Sequence, residues 1–146
     1  MQCLAPCFYE YLATIEGGLD MLFCHRWLFV CFKREFPIED ILQLWEVCWA
    51  CQESNSFHLL VAVAIIAMYG DKAIEQEMPS DSLMILFAGL AHSMPVEVIL
   101  SQSRGLLHRL SSSDFDLPHE VSDFLLCNLQ SNETVSFHKP ITSESV

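Results

Sequence analysis

Basic side chains are scarce in this sequence. Its 146 residues include 7 Lys and Arg against 19 Asp and Glu, which gives a formal net charge of −12. A field of this sign repels phosphate backbones, which makes nucleic acid a poor partner. We therefore expect a protein that does not bind nucleic acid.

The sequence also lacks an uninterrupted apolar run of the length that crosses a membrane. A transmembrane helix needs about 20 mainly apolar residues, and the best stretch, FHLLVAVAIIAMYG, stops at Asp71. At the amino terminus there is no basic segment, and Pro6 and Glu10 interrupt the apolar residues, which is unlike a secretory signal peptide. We expect no transmembrane segment and a cytoplasmic chain whose seven cysteines are reduced.

Motifs for independent catalysis and for metal or cofactor binding are missing too. The sequence has no glycine-rich phosphate loop and no G-x-S-x-G elbow. Cys48 and Cys51 have a metal-ligand spacing, but no second ligand pair accompanies them, and both lie in an apolar helical pattern where cysteine packs as a small hydrophobe. Four histidines occur singly on different predicted helices: His25, His58, His92 and His108. The sequence thus predicts no catalytic residue, cofactor or metal; an enzyme using the cysteines and a small membrane protein remain alternatives.

Apolar residues are abundant, at 52% of the chain. Their recurrence at helical spacing predicts a helix over 7–16 and a second from Asp20 to about Arg34. Further helices are predicted after Pro37, from about residue 57, after Pro79 and after Pro95. We therefore expect an all-α domain of about six packed helices with short polar joints.

The third and sixth predicted helices carry the clearest apolar faces. In the third, one face holds Ile38, Ile41, Trp45 and Cys48. Leu42, Leu44 and Trp49 widen this face, so we expect burial on more than one side. One face of the sixth is apolar: Val96, Ile99, Leu100, Leu107 and Leu110. Packing in the core is also the expected role of the three tryptophans, Trp27, Trp45 and Trp49.

The stretch HRWLFVCFKREF places cations inside an apolar run. On a continuous helix Arg34 would point about 100° away from its neighbour Lys33, so the cations would not share the single polar face of a membrane-surface helix. We expect Arg26 and Arg34 instead to pair with nearby acids and to fix how the second and third helices cross. The acids in reach are Glu35, Asp40 and Glu46.

Several aromatic and charged residues in this region follow the order of a family motif. They are Arg26-Trp27, the run from Phe32 to Phe36, and Leu44-Trp45-Glu46, with YGDKAIEQE and GLLHRL later. The stretch 8–110 resembles the carboxy-terminal portion of the TBC domain, the helical domain of Rab GTPase-activating proteins. This resemblance implies the C-terminal lobe of a TBC-type fold. Its structural or interface candidates are Arg26, Trp27, Arg34, Glu35, Trp45 and Glu46.

The same resemblance implies two catalytic motifs, and both are absent from this sequence. TBC domains supply an arginine from I-x-x-D-x-x-R and a glutamine from Y-x-Q, both in the amino-terminal lobe. Here no aspartate is followed three residues later by arginine, and the tyrosines give only YEY, YLA and YGD. We expect a fragment that is inactive alone, with a Rab-family GTPase and a missing N-terminal lobe as partners, in membrane traffic at endomembranes. The alternative is a non-catalytic helical module that binds a Rab or a trafficking partner.

The composition changes after Leu110. We interpret 111–146 as a linker, SSSDFDLP, then a short helix within HEVSDFLLCNL, and a disordered end.

Overall fold

Helices account for all the regular secondary structure in the part of the chain that the computed structural model describes, residues 2–51, 54, 56–111 and 121. The six α-helices are α1 (Pro6–Thr14), α2 (Leu22–Phe29), α3 (Ile38–Ala50), α4 (Phe57–Glu75), α5 (Ser80–Ala88) and α6 (Val96–Ser111). A short 3-10 helix, Gly18–Asp20, precedes α2. The predicted all-α class is confirmed.

Helix α4 lies at the centre of the packing. It contacts α1, α2 and α6, while α5 packs on α2 and α3 packs on α6. Ten of its 19 residues are buried, Leu60 and Ile65 completely. Among the described residues α4 is also the one helix long and apolar enough to cross a membrane, and 56% of that apolar window is buried inside the fold. Its apolar surface is thus shared among several neighbouring helices.

An aromatic cluster joins α1, α2 and α5. The rings of Phe23 and Phe87 stack with centroids 4.6 Å apart, and Trp27 meets Phe87 edge-on at 5.5 Å. Phe8 of α1 meets both phenylalanines edge-on at 6.1 Å. Such geometries add to the free energy that ring burial contributes. Trp27 is therefore a core residue, as predicted.

Helix α2 is shorter than the sequence predicts, because it ends at Phe29 and not near Arg34. Cys31 and Phe32 have left-handed backbones, with φ of 45° and 61°. The Phe32 amide donates to the carbonyl of Trp27 at 2.7 Å, the long bond of a Schellman-type helix end. The chain therefore turns before Lys33, and the expected helical relation between the cations does not exist.

Helix α3 shows a second difference from prediction. Only Ile41 and Leu44 of its residues are fully buried. Ile38 is 57% exposed, Leu42 55% and Trp49 78%. The predictions that α3 is buried on more than one side and that Trp49 belongs to the core are wrong.

The remaining boundaries agree more closely. Helix α1 ends at Thr14, and α5 ends at Ala88, before a loop in which His92 is left-handed with φ of 62°. All five residues predicted for the buried face of α6 are buried. The predicted linker, short helix and disordered end lie outside the described residues, apart from Ser111 and Val121.

Candidate functional site

A two-point ion pair joins α2 to the turn that follows it. The Nε of Arg26 lies 2.7 Å from Oε1 of Glu35, and its Nη2 lies 3.0 Å from Oε2. The Glu35 side chain is fully buried, whereas that of Arg26 is 40% exposed. This hydrogen bonding raises the pKa of the Arg26 guanidinium. A buried carboxylate is thus neutralised by a matched donor pair.

The backbone of the same glutamate makes a second connection. Its carbonyl accepts a hydrogen bond of 2.7 Å from the amide of His92, in the loop between α5 and α6. Glu35 therefore fixes the turn after α2 through its side chain and the α5–α6 loop through its backbone. This gives the residue a clear structural role.

The predicted arginine pairing is only partly correct. Arg26 pairs with Glu35, so its ion pair stabilises the turn after α2 and does not cross from α2 to α3. Arg34 is exposed and forms no ion pair with any residue that the structure describes. Because α2 ends at Phe29, Arg34 follows the turn and does not lie on that helix.

Trp27 follows Arg26 in the sequence and is completely buried. Its ring stacks on Phe32 with centroids 6.2 Å apart. Within the described chain its indole N–H has no hydrogen-bond partner. The ring thus contributes packing to the core.

The outer face of α3 carries a line of exposed apolar side chains. We define the α3 stripe as Ile38, Leu42, Trp45 and Trp49. Trp45 is half-buried, donates its indole N–H to the carbonyl of Cys31 at 2.7 Å, and stacks on Trp49 with centroids 5.7 Å apart. The two rings are inclined by 28°. The stripe is therefore anchored at Trp45 and open to solvent elsewhere.

Acidic side chains border the stripe. Glu39 and Glu46 are exposed and lie about 80–100° around the helix from Ile38. The sequence of α3, IEDILQLWEVCWA, contains no Lys, Arg or His. Helix α3 therefore combines an apolar line with an edge whose charged side chains are acidic.

A groove of about 680 Å³ separates α3 from α6 on the other side of Glu46. Val47, Phe57 and Leu107 contribute apolar lining, and Arg104 and His108 contribute cationic or titratable side chains. The groove is thus mixed in character.

Cys48 does not have the chemistry of a reactive thiol. Burial, followed by the neighbouring Cys51 and Cys31, raises the pKa of the Cys48 thiol to about 11. A thiol with this pKa is protonated near neutral pH, and the nucleophile and metal ligand is the thiolate. No group of three or more His, Cys, Asp or Glu side chains in the described ranges is arranged to hold a metal ion.

A known protein family matches the part of the chain that contains these features. Residues 1–74, which include the Arg26–Glu35 pair and all of α3, match the Rab-GTPase-TBC domain. The chain belongs to this family. The resemblance expected from the aromatic and charged motif is therefore confirmed.

Similar proteins carry related names. Over 103 residues, the chain is 48% identical to human TBC1 domain family member 16. This matched segment covers 70% of the chain and 13% of that relative. The chain is 35% identical over 125 residues to human TBC1 domain family member 17, covering 86% and 19%. It is 32% identical over 87 residues to the GTPase-activating protein GYP7 of Saccharomyces cerevisiae, covering 60% and 12%. The chain thus spans less than a fifth of the length of each of these relatives.

Proposed function

We propose that this chain is a non-catalytic helical part of a Rab GTPase-activating protein that acts in membrane traffic. The family match carries the proposal, together with the absence of I-x-x-D-x-x-R and Y-x-Q from the sequence. Residues 8–110 would form the TBC-type unit, giving rigid support and adding contacts to the GTPase. The catalytic arginine and glutamine would come from another part of the protein.

None of the arginines in this chain is a substitute for the missing arginine finger. Such a finger must offer its guanidinium to the charge that develops on the transferred phosphoryl group. That of Arg26 is already paired at two points with a buried carboxylate. Arg34, Arg104 and Arg109 are exposed, but none of them follows an aspartate at the family spacing. These side chains therefore favour a chain that supports the catalytic residues and does not supply them.

A second candidate function is a stand-alone binding module for a Rab or a trafficking partner, without GTPase activation. The observation that favours it is the exposed α3 stripe, because an interaction surface needs apolar side chains that the fold itself does not cover. In both cases we propose a cytoplasmic protein that is peripheral to endomembranes and uses α4 as a core helix.

The test is GTP hydrolysis by a panel of purified Rab proteins, with the chain present in substoichiometric amounts. The proposal predicts that each Rab hydrolyses GTP at its intrinsic rate. If the chain turns over several molecules of any Rab, the proposal is wrong. Binding of a GTP-loaded Rab without acceleration would favour the second candidate over the first.

A further inference from the structure

The α3 stripe has the properties of a docking site for a helix. We propose that it binds an amphipathic helix of another protein, with an apolar face against the stripe and Lys or Arg side chains along one flank. This inference deepens the second candidate function, which rests on the same stripe, by naming the chemistry of the partner. It does not depend on the first candidate, which the GTP hydrolysis assay tests separately.

The spacing of the stripe sets the shape of the partner. Its members follow one another at intervals of four, three and four residues, so they form one line along α3. At 1.5 Å per residue this line is about 16 Å long, which is three turns of helix. A partner helix with apolar residues at the same intervals would match it along its whole length.

The two tryptophans are arranged to bind at low entropic cost. The hydrogen bond from Trp45 to Cys31 fixes one indole, and stacking on that ring orients Trp49. Side chains that are ordered before binding lose less conformational freedom on association. Exposed tryptophans of this kind commonly contribute much of the binding energy at protein interfaces. We therefore assign the main anchor to Trp49.

Charge selects among the occupants that an apolar stripe could accept. Glu39 and Glu46 border the stripe, and α3 has no basic residue. A second copy packed antiparallel across the stripe would bring the two acidic edges together, and an anionic membrane surface would be repelled by the same carboxylates. A helix with basic flanks gains attraction at both positions. The stripe and its edge thus specify a basic amphipathic helix.

The experiment uses the full chain and two synthetic helical peptides. Both carry leucines at the intervals of the stripe, and they differ only in having Lys or Glu along the flank. Fluorescence anisotropy of the labelled peptides gives the dissociation constants. We expect the Lys peptide to bind more tightly, and Trp49→Gln to weaken it by about tenfold or more with an unchanged far-ultraviolet circular dichroism spectrum.

A charge exchange tests the acidic edge. The Glu39→Lys/Glu46→Lys variant should prefer the Glu peptide. The matched control, Glu10→Lys/Glu75→Lys, changes the net charge equally at exposed positions on other helices and should keep the preference for the Lys peptide.

Three results would overturn the proposal. One is an equal loss of Lys-peptide binding in the control variant, which would mean attraction by net charge alone. Another is self-association that Trp49→Gln abolishes. The third is Trp49-dependent sedimentation with phosphatidylserine vesicles, which would identify a membrane surface as the occupant.

Discussion

Glu35 is a fully buried carboxylate, and the fold must compensate for its loss of hydration. A carboxylate that leaves water loses several kcal/mol of solvation unless a partner compensates it. Arg26 provides that compensation through two hydrogen bonds, and its partial exposure limits its own desolvation. The stability of the turn after α2 should therefore depend on both partners together.

The pair is suited to a double-mutant cycle. Arg26→Met leaves the buried carboxylate without a counter-charge, and we expect the free energy of unfolding to fall by about 3 kcal/mol, the low end of the range for buried pairs because Arg26 is partly exposed. Arg26→Met/Glu35→Leu should recover much of this loss. Urea unfolding followed by circular dichroism measures these two variants and the single variant Glu35→Leu, which completes the cycle. Strictly additive losses would show that the two side chains are not coupled.

His58 makes stability depend on pH. Burial lowers the pKa of this imidazole from its ordinary value of 6.5. Because the unfolded chain binds the proton first, the contribution of His58 to stability is complete above about 6.5. It decreases as pH falls from there through the lower folded pKa. His58→Gln should remove this part of the dependence, seen as a smaller difference in melting temperature between pH 7.5 and 5.5 than in the parent chain. Equal differences in the two proteins would contradict it.

At the scale of the helices, apolar periodicity predicted where most of them lie but not where α2 ends. HRWLFVCFKREF keeps a helical pattern beyond Phe29, and proline comes only at position 37. The actual stop is a left-handed turn at Cys31 and Phe32. Side chains that are neither glycine nor asparagine give no sequence signal for this conformation. Tertiary burial of Phe32 and Glu35 therefore decided the boundary.

Helix α3 shows the other limit of prediction. Periodicity places Ile38, Ile41, Trp45 and Cys48 on one face and Leu42, Leu44 and Trp49 beside it, but it does not say which of these another helix covers. The sequence placed Trp45 and Glu46 among the interface candidates through the family resemblance, and their role there stays a prediction. Only the exposure of these side chains in the folded chain shows that the stripe is open to solvent.

Helix packing can be tested at two glycines. A Cβ at Gly70 would lie 2.8 Å from Cδ2 of Phe8, whereas at Gly105 it meets no atom within 4 Å. Alanine gains up to about 1 kcal/mol over glycine inside a helix, and overpacking costs about 1–3 kcal/mol. We expect Gly105→Ala to stabilise the chain and Gly70→Ala to destabilise it by about 1 kcal/mol. Urea unfolding compares them. Equal stabilisation would show that α1 does not approach α4 closely at Phe8.

For the whole molecule, the sequence predicted the fold class and the family better than it predicted any binding partner. The all-α fold follows from helical spacing throughout the chain, and the family from an ordered set of aromatic and charged residues that includes the Arg26–Glu35 pair. Of those residues, Trp27, Phe32, Glu35, Phe36 and Leu44 are buried. The motif therefore identifies the fold, whereas a candidate interaction surface depends on exposed side chains whose arrangement follows from the tertiary structure.

We propose that GTPase activation does not reside in this chain. The decisive experiment is single-turnover hydrolysis of GTP on Rab proteins with the chain in large excess, because excess chain compensates for weak binding. We expect an unchanged rate constant at every concentration of the chain. A rate constant that rises and saturates, towards the acceleration of about 10³-fold or more that an arginine finger provides, would contradict it.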